Sequence, residues 1–129
     1  MQWYDTNRGR QRLQSEMELL AIDFPQMKFG LLEDDTAFVA GYIGPSDKLR
    51  KSYYVVAAYP YGYPNGNRIK VYVPHIDFCS DVPHLYGEDQ ELCLEHNDFN
   101  HDDTICTVIG WVIQWLILYE NFLQTGETW

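Results

Sequence analysis

Positive charge and cysteine are both scarce in this chain of 129 residues, and each shortage argues against a class of function. Only 9 Lys and Arg stand against 19 Asp and Glu, which gives a formal net charge of -10. Such a surface repels a phosphate backbone, so we expect no nucleic-acid partner. The 3 cysteines form an odd set, which favours a reduced, cytoplasmic protein over a secreted one built on disulfides.

Long hydrophobic runs are also missing. The run most worth testing as a membrane span, 106–119, has 14 residues with Gln114 inside it, fewer than the roughly 20 that a bilayer requires. No secretion signal is apparent at the start, so we expect neither a membrane partner nor export. What the chain does have is 46% hydrophobic and 16% aromatic residues. That content predicts a folded protein with one domain over 1–129.

Helical spacing and capping residues predict a helix near each end of the chain. Over 8–21, Leu13, Met17 and Leu20 recur at helical spacing, with Glu16 and Glu18 expected to face solvent. A second helix is capped at 102–104, runs to about residue 123 and is closed by a glycine at 126. Because the second helix is apolar nearly all round, we expect it to pack across a sheet.

Strand patterns fill the region between the helices. The segments 28–33 and 36–43 predict a hairpin, 52–59 reads as a buried strand, and 68–73 alternates as a half-buried strand. From 74 to 103 neither helical nor strand periodicity can be followed, and so long an irregular segment inside a compact domain is usually functional. The expected fold class is therefore α+β, with a long loop before the last helix.

Cys93 is the candidate nucleophile of that long loop. It lies between two leucines, after a turn-rich stretch that contains His84 and Tyr86. A cysteine at the end of a loop with Gly and Asp can be partly exposed and can form the thiolate that is the reactive species. We therefore expect a partly exposed thiol at this position, whereas Cys106 is expected in the core and Cys79 partly buried in the loop.

Three local motifs, in chain order, resemble those of the ubiquitin-conjugating enzymes. Residues 59–64, Tyr-Pro-Tyr-Gly-Tyr-Pro, look like that family's Tyr-Pro-x-x-Pro-Pro turn. Residues 82–86, Val-Pro-His-Leu-Tyr, are similar to its His-Pro-Asn-x-Tyr, and 92–94, Leu-Cys-Leu, to its catalytic Ile-Cys-Leu. The resemblance implies a ubiquitin-conjugating-enzyme-like fold: an N-terminal helix, a four-stranded antiparallel meander, a long active-site loop and a C-terminal helix.

The end of the chain resembles a bacterial subgroup of that family. Residues 115–126 contain Trp-Leu-x-x-Tyr-Glu followed by Leu-Gln-Thr-Gly, similar to the ending of ubiquitin-conjugating-like domains of CBASS-type antiphage defence. The resemblance implies that Cys93 forms a thioester with the C-terminal glycine of a cGAS/DncV-like nucleotidyltransferase, a cyclic-nucleotide synthase, and thereby primes it. It implies no cofactor, and a separate activating enzyme is an open possibility.

Thioester exchange needs a thiolate and a donor aimed at the oxygen that becomes negative in the tetrahedral intermediate. His84, in the Asn place of the family motif, is our candidate for that donor, or else it holds the loop by bonding a backbone carbonyl. Tyr86 is expected to wedge the loop against the sheet. His96, Asn97 and Asp98 are secondary candidates for positioning an incoming amine or thiol, against a solvated loop as the ordinary interpretation.

Two other functions stay open at this stage. The first is a binding module without catalysis, which grips the synthase and could use the tyrosines among 53–63 as its interface. The second is a small domain stabilised by zinc, with ligands from the loop. The potential ligands are His75, Cys79, His84, Cys93, His96 and His101. Their spacings do not reproduce a paired zinc clamp, so our prediction has no metal.

Overall fold

The computed structural model describes residues 1–65, 68–94, 99–100 and 102–129. Its elements in chain order are a 3-10 helix (Trp3–Asp5), α1 (Asn7–Asp23), β1 (Lys28–Leu31), β2 (Ala37–Ile43), β3 (Tyr53–Ala58), β4 (Lys70–Tyr72), β5 (Leu85–Tyr86), β6 (Glu91–Leu92) and α2 (Ile105–Thr125). This α+β arrangement, an N-terminal helix, a four-stranded antiparallel sheet and a C-terminal helix, confirms the expected order of elements.

Helix α1 begins where a threonine can cap it. The Thr6 hydroxyl accepts a hydrogen bond from the Gly9 amide at 3.0 Å, which satisfies one of the amides that a helix start leaves unpaired. Leu20 is buried on the inner face, as its spacing predicts. Glu16, however, was expected to face solvent and is only 1% exposed. That prediction is wrong because the carboxylate finds hydrogen-bond donors on other elements, which periodicity in one helix does not reveal.

Four donors surround the buried Glu16 carboxylate. One oxygen accepts from the Tyr59 hydroxyl and the Ile105 amide, both at 3.0 Å. The other accepts from Arg12 Nε at 2.9 Å and the Tyr63 hydroxyl at 2.5 Å. A buried carboxylate is stable only when its charge is compensated in this way. Glu16 thereby joins α1 to the turn after β3 and to the first amide of α2, where a helix favours negative charge.

The four long strands form an antiparallel sheet in the order β1-β2-β3-β4, so each strand pairs with its neighbour in sequence. The expected hairpin is confirmed, with Leu31 paired to Ala37 next to the turn. Burial alternates regularly along β3, so one face of the strand lies against the core. Of the five tyrosines considered for an interface, Tyr53, Tyr59 and Tyr63 are buried in this core. The remaining two are Tyr54, which is partly buried, and Tyr61, which is 71% exposed.

Helix α2 covers the inner face of the sheet. Ile109, Val112 and Leu116 are completely buried in the same hydrophobic cluster as the inward residues of β2, β3 and β4. The helix ends at Gly126, whose φ of +74° is the left-handed conformation that glycine adopts readily. By length and composition alone α2 could also cross a bilayer, a property that the core helices of soluble proteins share. In this structure 44% of its most apolar 18-residue window is buried.

The sequence led us to expect an irregular segment over 74–103, and the structure shows that part of it is regular. It contains a small antiparallel hairpin in which Leu85 pairs with Leu92 and Tyr86 with Glu91. Strands of two residues are too short to show a period of two, so sequence patterns do not detect them. Gly87 and Gln90 both have positive φ in the connecting turn, with values of 57° and 58°. The hairpin is what positions Cys93.

Candidate active site

Cys93 directly follows β6 and continues the pairing of the small hairpin. Its amide donates a hydrogen bond to the His84 carbonyl at 2.8 Å, one step beyond the Leu85–Leu92 pair. The same carbonyl accepts a second hydrogen bond from Trp115 Nε1, at 3.2 Å, on helix α2. The backbone at His84 therefore links the hairpin, the cysteine and the C-terminal helix.

The Cys93 thiol is less exposed than the sequence predicted. Its residue is 6% exposed, so the expectation of a partly exposed thiol is wrong. The physical reason is the hairpin, which fixes the cysteine against His84 and lets the two flanking leucines anchor it. Leu92 and Leu94 belong to the main hydrophobic cluster, whereas Cys93 is not among its members within the described residues. Residues alternate in direction along extended chain, so Cys93 faces away from the core side of its neighbours.

A charged pair, Arg68 and Glu91, lies on the face of the hairpin to which the Cys93 side chain points. Glu91, two residues before Cys93, is only 4% exposed, and Arg68 forms a two-point salt bridge with its carboxylate. Arg68 Nε lies 2.9 Å from one oxygen and Nη2 lies 3.1 Å from the other. The guanidinium carbon also lies 4.3 Å from the centre of the Tyr86 ring. Sequence reasoning missed this cluster, because Arg68 and Glu91 are 23 residues apart and no local motif connects them.

His84 was predicted to be the hydrogen-bond donor of the site. It has a positive φ of 60°, and its Nε2 lies 2.5 Å from the main-chain oxygen of Trp129. Because a carbonyl oxygen only accepts, Nε2 carries the proton and donates it. The Trp129 ring also contacts the imidazole, with centroids 5.4 Å apart. In this structure His84 holds the segment after α2, and its role as donor to a substrate stays a prediction.

The structure brings together three of the six predicted site residues. Cys93, His84 and Tyr86 all belong to the hairpin or adjoin it. The Tyr86 ring supports the Arg68 guanidinium, and its expected role of wedging the loop against the sheet stays a prediction. His96, Asn97 and Asp98 lie outside the described residues, so their predicted secondary role stays a prediction.

The other two cysteines have different surroundings. Cys79 is exposed rather than partly buried as expected, because it lies in the open loop before the hairpin. Cys106 is partly buried against the core. Loss of solvent raises the pKa of its thiol to about 11, and the carboxylates of Asp23 and Glu16 add to the rise. A thiol with so high a pKa is almost entirely protonated at neutral pH, which makes Cys106 a poor nucleophile.

No metal site is found among the residues that the structure describes: no group of three or more His, Cys, Asp or Glu side chains is arranged to hold an ion. Two of the six potential zinc ligands, His96 and His101, lie outside those residues. The four remaining candidates do not make a ligand set on their own. The geometry therefore gives the zinc hypothesis no support.

Comparison with protein families gives a match to the family described as Type II CBASS E2 protein, over residues 16–129. Comparison with curated proteins and with solved structures gave no match. The family match covers the second half of α1, the sheet, the small hairpin with Cys93, and α2. The chain belongs to the Type II CBASS E2 family, the ubiquitin-conjugating-like (E2-like) proteins associated with CBASS defence.

Proposed function

We propose that this chain is a ubiquitin-conjugating-like enzyme of antiphage defence, which carries the C-terminal glycine of a cyclic-nucleotide synthase as a thioester on Cys93. The observation that carries the proposal is the position of Cys93 at the end of the small hairpin, in a chain that belongs to this family. Two leucines anchor the strand in the core, while the cysteine between them is directed to the face that holds Arg68 and Tyr86. Cys93 is buried, but among the described residues it is not a member of the hydrophobic cluster that contains Leu92 and Leu94, and a cysteine that served only packing would be expected in that cluster.

The reaction is an acyl transfer. The Cys93 thiolate adds to the carbonyl carbon of the glycine, which must arrive activated as a thioester or an acyl adenylate. The new carbon–sulfur bond forms, the carbonyl electron pair moves to oxygen, and collapse of this intermediate expels a thiolate or adenylate with its bonding pair. The thiol proton is released to water beforehand. A thiol needs no strong base for this chemistry, because a few per cent is ionised at neutral pH.

The small exposed fraction of Cys93, 6%, sets a condition on the proposal. Part of the chain next to the sulfur has to shift when the acyl donor binds. The segment after α2 is one candidate, because Trp129 covers His84 directly. The synthase as the partner, the fold as that of the ubiquitin-conjugating enzymes, and the cytoplasm as the location all belong to this proposal.

The proposal is tested by co-expressing the protein with the synthase and the activating enzyme of its CBASS system and measuring the intact mass. We expect a mass increase equal to that of the synthase less one molecule of water, and the adduct should be removed by hydroxylamine or excess thiol. Cys93→Ala should abolish the adduct, whereas the matched variants Cys79→Ala and Cys106→Ala should retain it. A wild-type protein without any adduct, or an adduct that survives in Cys93→Ala, would overturn the proposal.

The burial of Cys93 favours a second candidate, a binding module that holds the synthase without covalent chemistry. In that case Cys93→Ala should still copurify with the synthase and should still support protection against phage. Loss of protection together with retained copurification would exclude this candidate.

A further inference from the structure

Arg68 stands on the same face of the small hairpin as Cys93. Glu91 and Cys93 are two residues apart, so their side chains point to one side of the extended chain, with their Cβ atoms roughly 7 Å apart. Tyr86 pairs directly opposite Glu91 and shares that side. Because Arg68 binds the Glu91 carboxylate and lies over the Tyr86 ring, its guanidinium is held on the side of the hairpin to which the Cys93 side chain also points.

The electrostatic interactions of Arg68 agree with this placement. The pKa of the guanidinium is raised, first by the hydrogen bond to Glu91, against the opposing effect of partial burial, and further by the negative form of Cys93. Arg68 remains positively charged at every pH at which acyl transfer would be studied.

One nitrogen of the Arg68 guanidinium remains available to donate a hydrogen bond to a ligand. Its two bonds to Glu91 use Nε and Nη2, and Nη1 has no acceptor among the described residues. The Arg68 side chain is 48% exposed, so a ligand can reach it, while the Glu91 carboxylate beneath is 6% exposed. A guanidinium held at two points and supported by a ring loses little further freedom when it donates to a ligand.

We propose that Arg68, given the thioester function proposed above, is a further catalytic residue, whose Nη1 donates a hydrogen bond to the carbonyl oxygen of the acyl donor. As the Cys93 thiolate adds to the carbonyl carbon, the electron pair on that oxygen is stabilised by the positive charge and the N–H of Arg68. When the intermediate collapses, the pair returns to the carbonyl and the leaving group departs, while Arg68 keeps its proton. This inference makes Arg68, rather than His84, the principal donor; in the structure His84 Nε2 donates to the Trp129 main-chain oxygen.

A purely structural role for Arg68 must be separated from this one, because Arg68 also compensates the buried charge of Glu91. Removing Arg68 alone would leave that carboxylate unpaired and could unfold the hairpin. The matched pair is therefore Glu91→Gln and the double variant Arg68→Gln with Glu91→Gln. Neither contains an unpaired carboxylate, and they differ only in the guanidinium. Lys70→Gln, an exposed change on β4, controls for the general loss of positive charge.

Two rates are measured on each purified variant. The first is acyl transfer to Cys93 from a short peptide ending in glycine, supplied as its mercaptoethanesulfonate thioester. The second is alkylation of Cys93 by iodoacetamide, which needs the same thiol but creates no negative carbonyl oxygen. We expect the double variant to accept the acyl group at least about tenfold more slowly than Glu91→Gln. Its alkylation rate should change by less than about threefold, and Lys70→Gln should behave as wild type.

Equal acyl-transfer rates in the matched pair would overturn the inference. So would an equal slowing of both reactions, which would show that Arg68 only shapes the hairpin. A wild-type protein that takes no acyl group from the peptide also overturns the inference. Whether the proposed function falls with it is decided separately by co-expression with the synthase, which does not use the peptide.

Discussion

Replacing Glu16 with glutamine should destabilise the fold strongly, although the two side chains have the same shape. In the wild type each carboxylate oxygen accepts two hydrogen bonds. The amide oxygen of glutamine can keep the bonds from Tyr59 and the Ile105 amide, but its NH2 group cannot accept from Arg12. The substitution thus removes the negative charge and two of the four hydrogen bonds that the carboxylate accepts, those from Arg12 and Tyr63.

The magnitude follows from those two bonds. Hydrogen bonds to a charged group contribute about 1.5–3 kcal/mol each, so their loss costs about 3–6 kcal/mol. Arg12 is partly exposed, with 22% of its side chain accessible, and regains some hydration in the variant. We therefore expect the lower end, about 3 kcal/mol, which for a domain of this length corresponds to a fall in Tm of about 12 °C.

Urea unfolding followed by circular dichroism at pH 7 measures the free energy of unfolding directly. Glu18→Gln is the matched control, because Glu18 is exposed on the same helix, and we expect a change within about 0.5 kcal/mol. A loss below about 1 kcal/mol for Glu16→Gln would refute the reasoning. It would mean that the four contacts of the carboxylate contribute little beyond those of a neutral group.

Two further predictions concern reactivity and pH. In the folded protein we expect iodoacetamide to label the exposed Cys79 before the buried Cys93, with peptide mass spectrometry as the measurement; the reverse order would contradict the described burial. Partial burial favours a higher pKa for Glu120, but hydrogen bonds from the Arg50 amide and the Tyr53 hydroxyl outweigh it and lower the pKa below the usual 4.5. Its stabilising contribution is therefore complete above that pH and is lost as the pH falls through the lowered value, so the urea midpoints of wild type and Glu120→Gln should converge on acidification. A difference that stays constant down to pH 3 would count against this coupling.

The parts of the fold that sequence analysis predicted are those governed by local rules. Gly126 closes α2 as predicted, because this effect depends only on neighbouring residues. The order of the four long strands followed from alternation and turn residues. The motif around residue 93 placed the cysteine in the loop that the structure shows.

What the sequence did not reveal depends on residues that are distant along the chain. Glu16 faces inward because its partners are Tyr59, Tyr63 and the start of α2, far beyond any helical window. The pairing of Arg68 with Glu91 arises only once the small hairpin has formed. The prediction that the Cys93 thiol is partly exposed failed for the same reason. It depends on the small hairpin, whose two-residue strands are too short to give a periodic sequence pattern.

The contact between His84 and Trp129 has a practical consequence for handling the protein. The Trp129 ring packs against the His84 imidazole, and the Trp129 main-chain oxygen accepts a hydrogen bond from it. The His84 carbonyl in turn accepts a hydrogen bond from the Cys93 amide. An affinity tag or fluorophore attached after residue 129 would thus lie next to His84 and close to Cys93. Labels at the amino end avoid that interference, and proteins tagged at either end should be compared before any activity is judged absent.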